Sequence, residues 1–176
     1  TQSRTRCTIE PVTNGNHGVC LLDDHVAERD AACKMRQSFD LLPGRFRLTL
    51  RMMLRKGAAQ AVRQDTGFHL YGPTRLLDVF FSGGELKTWQ GQGWASLQPP
   101  VLWEEGRWVE ITVLVDPDIG SATLTVDGVS REPVALRNKG IGVNAIELTS
   151  QRFAQGELWV DDIMLDHLAC SNAVAE

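Results

Sequence analysis

The chain has 176 residues, 43% apolar and 23% charged, a length and balance that suit one globular domain with a full core rather than a disordered or membrane protein. No apolar run approaches the roughly 18 residues that a membrane helix needs. The formal net charge is -4 and no dense block of Lys or Arg occurs, so no nucleic-acid partner is expected.

The sequence opens at Thr1 without a signal-like apolar stretch, so any targeting segment has been removed or the sequence is cut from a longer protein. Either origin is consistent with an exported chain, extracellular or secreted, with the periplasm and the cell surface included. Four cysteines, Cys7, Cys20, Cys33 and Cys170, lie towards the two ends, and none forms the C-x-x-C spacing of a zinc ribbon or thioredoxin-like site. An even count without metal spacing points to two disulfides. Of the three pairings, Cys7 with Cys170 would tie the termini and Cys20 with Cys33 would close a short loop, each removing roughly 3 to 5 kcal/mol of unfolded-state entropy. The alternative is four buried free thiols in a cytosolic protein.

In chain order, the one helical stretch expected is residues 24–35, where the pattern is mixed. Residues 45–54 alternate Phe46, Leu48, Leu50 and Met52 against Arg45, Arg47, Thr49 and Arg51, which predicts a half-buried strand that blurs from Met53. A short strand is expected at 68–71. Strands at 76–82 and 85–90 flank Gly83-Gly84, a two-residue hairpin signature. Residues 89–103 are rich in Gln, Gly and Pro and read as exposed loop.

From Trp108 the two-residue period is strongest, with Val109, Ile111, Val113 and Val115 in one row and Glu110 and Thr112 facing the other way. The turn residues 116–120 lead into a second alternating run, 122–126, that ends at Asp127-Gly128, so the pair reads as a hairpin. Asn138-Lys139-Gly140 is turn punctuation, and strands are expected at 145–149 and 157–165. With no linker, low-complexity tract or internal repeat, residues 1–176 read as one all-β domain, a sandwich or barrel.

Three segments together resemble the concanavalin A-like lectin and glucanase superfamily, in the branch of laminin-G-like jelly-roll domains. These are Gly106-Arg107-Trp108-Val109-Glu110-Ile111 running into Val115-Asp116, Gly120 through Val126 ending in Asp127-Gly128, and Gly156-Glu157-Leu158-Trp159-Val160-Asp161-Asp162-Ile163. With residues 39–54 added, the resemblance spans about three quarters of the chain and concerns fold more than ligand. It implies a two-sheet antiparallel jelly-roll sandwich with its first and last strands adjacent. It also implies binding of glycans, cleavage of polysaccharides, or an adhesion or accessory role.

Flat aromatic rings stack on the apolar faces of sugars while polar neighbours bond the hydroxyls, so the five tryptophans and one tyrosine are the first ligand-binding candidates. Trp108 and Trp159 fall within predicted strands and read as core or sheet-packing residues. Trp89, Trp94 and Trp103, with Gln90, Gln92 and Tyr71, are the candidate glycan contacts, the alternative being that these tryptophans cap the core. Asp23, Asp24, Asp161 and Asp162 are the candidate ligands of a structural calcium, which needs several hard oxygens; without a calcium-loop consensus they also read as solvated turn residues.

Catalysis has less support. The Glu-x-Asp-x-Glu strand of the glucanase branch is absent, and Glu104-Glu105 would point to opposite faces of a strand. His69 and Tyr71 share one face of a short strand and are the acid and base candidates of a lyase. The leading expectation is a non-catalytic, lectin-like carbohydrate-binding domain, an accessory module for polysaccharide recognition. The alternatives are a polysaccharide lyase or glycoside hydrolase on the same fold, and a laminin-G-like structural or protein-interaction module with a large apolar patch on one sheet.

Overall fold

The alternating rows fold into strands that bury one side each, and the two sheets they form close on a shared apolar core. The computed structural model describes residues 6–11, 17–23, 34–55, 66–139, 142–150 and 156–168, the first two segments by their backbone alone. No helix occurs among them. In chain order the strands are β1 (Arg6–Pro11), β2 (His17–Asp23), β3 (Lys34–Leu42), β4 (Phe46–Arg55), β5 (Thr66–Tyr71), β6 (Arg75–Ser82) and β7 (Glu85–Trp89). They continue as β8 (Trp94–Ser96), β9 (Trp108–Asp116), β10 (Ser121–Val126), β11 (Val129–Ser130), β12 (Val134–Ala135), β13 (Val143–Ser150) and β14 (Gly156–His167).

One sheet runs β1-β2-β14-β4-β9-β10-β11, with β12 also on β10, and the other runs β3-β13-β5-β6-β7-β8. Neighbours pair antiparallel throughout. The expected rows supply the core: Phe46, Leu48, Leu50 and Met52 from β4 and Val109, Ile111, Val113 and Val115 from β9 meet Phe68 and Leu70 of β5 and Leu77, Val79 and Phe81 of β6. Gly83 and Gly84 (φ 60° and 85°) and Asp127 and Gly128 (φ 49° and 78°) take the paired positive φ of tight hairpin turns.

The helix expected at 24–35 is not formed where the chain is described. Lys34 and Met35 open the edge strand β3, whose mostly exposed residues hide the two-residue period; residues 24–33 lie outside the described residues. The loop expected at 89–103 contains β8, whose Trp94 pairs with Trp89 of β7.

β2 pairs with β14, which sets early and late strands side by side. The β1–β2 register places Cys7 opposite Leu21 and Cys20 opposite Thr8, while Cys33 and Cys170, one from each expected disulfide, lie outside the described residues. Trp108 and Trp159 are not core residues. They flank Met53 across the outer face of β9, β4 and β14, where Arg51 and Arg55 lie over their rings. Their role is to pack the sheet surface, and Met53 blurs the strand pattern because this outer row buries it too.

Candidate ligand-binding face

Strand alternation sends His69 and Tyr71 of β5 away from the core, beside Asp78 and Phe80 of β6, Glu147 of β13, and Trp89 and Trp94 of β7 and β8. These rings form a ladder across the outer face of the six-stranded sheet. Tyr71 meets His69 at 5.9 Å between centroids, His69 meets Phe80 at 4.8 Å, Phe80 meets Trp94 at 5.0 Å, and Trp94 meets Trp89 edge-on at 5.6 Å. The Phe80–Trp94 and Trp94–Trp89 pairs each add about 0.5 to 1.5 kcal/mol beyond their area. Arginines cover both ends: Arg36 and Arg75 lie 4.3 Å and 5.7 Å from the Tyr71 centroid, and Arg137 lies 5.4 Å from that of Trp89.

Under the ladder sits a buried charge centre. Asp78, 1% exposed, accepts from His69 Nδ1 at 2.5 Å and from Arg137 Nη1, and Arg75 Nε lies 3.5 Å away. Burial alone would raise the Asp78 carboxyl, but the hydrogen bond and charge of His69, with Arg137 and Arg75, outweigh it and hold the group below the ordinary carboxylate range. Arg75 Nη2 also donates to the Tyr71 hydroxyl at 3.2 Å, and that hydroxyl reaches Glu147 at 3.5 Å. Glu147, itself buried, has Lys34 at 4.0 Å.

Arg75, Asp78, Trp89, Trp94 and Arg137 line an open cleft of about 200 Å³. The face therefore gathers Trp89, Trp94, Tyr71 and His69 from the expected candidates. Gln90 and Gln92 are exposed on the turn between β7 and β8, where Gln90 N–H donates to Gly93 at 2.9 Å. Trp103 does not join them: it packs against the core, and its enclosed indole N–H makes no hydrogen bond among the described residues. Its Pro-rich surroundings suggested exposure, but the ring is half-buried on the core, and the backbone N–H of Trp103 bonds Gly84 O in the β6–β7 turn.

Asp78, Phe80, Arg75, Glu147 and Arg137 were not legible as site residues. The available signal was Asp78 itself, a single charge inside the apolar run Leu76-Leu77-Asp78-Val79-Phe80-Phe81, which a buried strand tolerates only with partners.

Two of the aspartates expected to share a calcium, Asp23 and Asp161, are set apart by the register. Asp23 pairs opposite Gly156, about 17 Å along β14 from Asp161 at roughly 3.4 Å per residue, because β2 covers only the first part of that strand. Asp161 Oδ1 accepts the Asp162 N–H, Asp162 pairs with Arg51, and Asp24 lies outside the described residues. Among the described residues no group of three or more His, Cys, Asp or Glu is placed to hold a metal ion.

No family model and no curated sequence matches the chain. Solved structures do. A sialidase superposes with a TM-score of 0.69 at 8% identity over 92% of this chain, which spans 16% of the sialidase. An alginate lyase of polysaccharide lyase family 7 gives 0.63 at 11% identity, covering 96% of this chain and 85% of the lyase. A cellulose-induced protein gives 0.69 at 9% identity, covering 96% and 87%. At such identities the likeness concerns fold, and with the two antiparallel sheets it makes this chain a jelly-roll sandwich, the fold that the sequence resemblance implied.

Proposed function

We propose that the outer face of the six-stranded sheet binds carbohydrate and that the chain is a non-catalytic recognition module for an extracellular polysaccharide. The observation that carries this reading is the cleft walled by Trp89 and Trp94 with Arg75, Asp78 and Arg137 beside them. Indole faces supply apolar area at little conformational cost, and the partly exposed guanidinium groups of Arg75 and Arg137, held from beneath by Asp78, supply directional bonds to hydroxyls. Part of a sialidase and most of an alginate lyase, both named for carbohydrates, have the same fold. The exposed large apolar residues Leu41, Leu102, Ile119, Val129, Ile163 and Met164 are scattered over several elements, which gives the protein-interaction reading less support.

A polysaccharide array and affinity gels test the proposal. Trp89→Ala and Trp94→Ala are expected to weaken retention at least about tenfold, the scale of an aromatic hot spot, with Trp103→Phe retaining the ligand. Circular dichroism checks that each variant is folded. Retention on no polysaccharide, or retention indifferent to both tryptophans, would sink the proposal.

A second reading, an enzyme that degrades the bound polysaccharide, is favoured by His69 and Tyr71 standing 5.9 Å apart with Arg75 on the Tyr71 hydroxyl. Against it, His69 is 4% exposed and its Nδ1 is committed to Asp78. Product release in the same samples, lost in Tyr71→Phe, would favour the enzyme.

A further inference from the structure

Taking the carbohydrate reading as its basis, we infer that the cleft selects a saccharide bearing an anionic substituent, a carboxylate or a sulfate, bound by Arg137 and Arg75.

The inference starts from an imbalance of charge. One carboxylate, Asp78, serves two guanidinium groups and His69. A guanidinium presents five N–H donors in a rigid fork, so a single carboxylate, itself shared with an imidazole, cannot saturate two forks. Asp78 is 1% exposed and pulls from beneath, whereas the Arg75 and Arg137 side chains are 38% and 32% exposed and both line the cleft. Arg75 gives one further donor to the Tyr71 hydroxyl, and the donors that remain on the two forks are available on the open side.

The cationic excess is local. In a chain of formal net charge -4, this face sets Arg36, Arg75, Arg137 and Lys34 against the two carboxylates Asp78 and Glu147, with Arg36 on the Tyr71 ring at one end of the ladder and Arg137 on Trp89 at the other. A neutral sugar needs stacking and mixed donors and acceptors, and nothing in its chemistry calls for surplus donors of one sign. An anionic sugar uses both parts of the cleft, its ring against indole and its charged group on a guanidinium. Asp78 acts here as a positioning residue: it holds Arg137 by Nη1 and Arg75 through Nε, and it is too buried to meet ligand itself.

Isothermal titration of the whole chain with a polyuronate, with the same polymer after carboxyl reduction, and with a sulfated galactan tests this inference. The expected result is binding of at least one acidic polymer, weakened by added salt, and affinity at least about tenfold lower once the carboxylates or sulfates are removed. The two acidic arms assign the group as carboxylate, sulfate or either. Arg137→Gln is expected to lose about tenfold on the acidic polymer and little on the reduced one, the scale of one charge-assisted hydrogen bond. Equal affinity for native and reduced polymers would overturn the inference and leave the carbohydrate reading standing. Binding to none of these polymers, nor to any on the array, would overturn both. The comparison of native with reduced polymer uses the unmodified protein, so it holds even if Arg137→Gln folds poorly.

Discussion

Asp78→Asn is expected to lower the free energy of unfolding by about 3 kcal/mol at neutral pH, near the lower end of the cost of breaking a buried ion pair. Asn keeps the shape of the side chain but removes the charge that faces His69, Arg75 and Arg137. The lower end applies because both arginines remain about one third exposed, so water screens part of their loss. The pH dependence has a definite sign. The folded Asp78 carboxyl sits below the unfolded value of about 3.9, so its contribution is complete above that value and is lost as pH falls through the depressed folded value. Denaturant titrations at neutral pH and at the most acid pH at which both proteins still fold should therefore show the gap between wild type and Asp78→Asn narrowing in acid. A gap of equal size at both would mean that the side chain acts by shape and not by charge.

Gly67→Ala is expected to cost about 3 kcal/mol, lowering the melting temperature by about 10 °C in a domain of this size. A strand glycine exchanged for alanine ordinarily gains stability, because glycine loses more freedom on folding. Here the sign reverses. A Cβ on Gly67 would meet Val79 O at 2.0 Å and Phe80 Cα at 2.7 Å, both backbone atoms of the neighbouring strand, which no rotamer change relieves. β5 would have to move off β6, and those two strands carry His69 and Asp78 in direct register. The variant should thus lose stability and disturb the charge centre together. Gly93→Ala, with nothing within 4 Å of its added Cβ, is the control and should stay within about 0.5 kcal/mol. Calorimetry of the three proteins checks the pair, and an unchanged melting temperature for Gly67→Ala would refute the close approach.

The central strands were legible because each buries one side only. Val109 to Val115 and Phe46 to Met52 write the two-residue period directly, and Gly83-Gly84 and Asp127-Gly128 mark turns by chemistry that few other residues share. The edges were not. β3 has no fully buried residue to announce a period, and β8 is three residues long.

The site was half visible for a related reason. Its aromatic residues stand out by type, as does the shared face of His69 and Tyr71, but its charged residues come together only through sheet pairing. Asp78 and His69 meet across β5 and β6, Glu147 arrives from β13, and Arg137 arrives from the segment after β12. Trp103 shows the converse: composition left it open between an exposed contact and a cap on the core, and the structure packs it on the core beside the β6–β7 turn.

The proposal that the six-stranded sheet's outer face binds ligand is tested most directly by the five tryptophan indole N–H signals in a proton–nitrogen correlation spectrum, assigned by single Trp→Phe variants. Added polyuronate or sulfated galactan, whichever titrates, should shift the signals of Trp89 and Trp94, which line the cleft, and leave Trp103, Trp108 and Trp159 in place. Shifts confined to Trp108 and Trp159 would place the ligand on the opposite sheet and contradict the account.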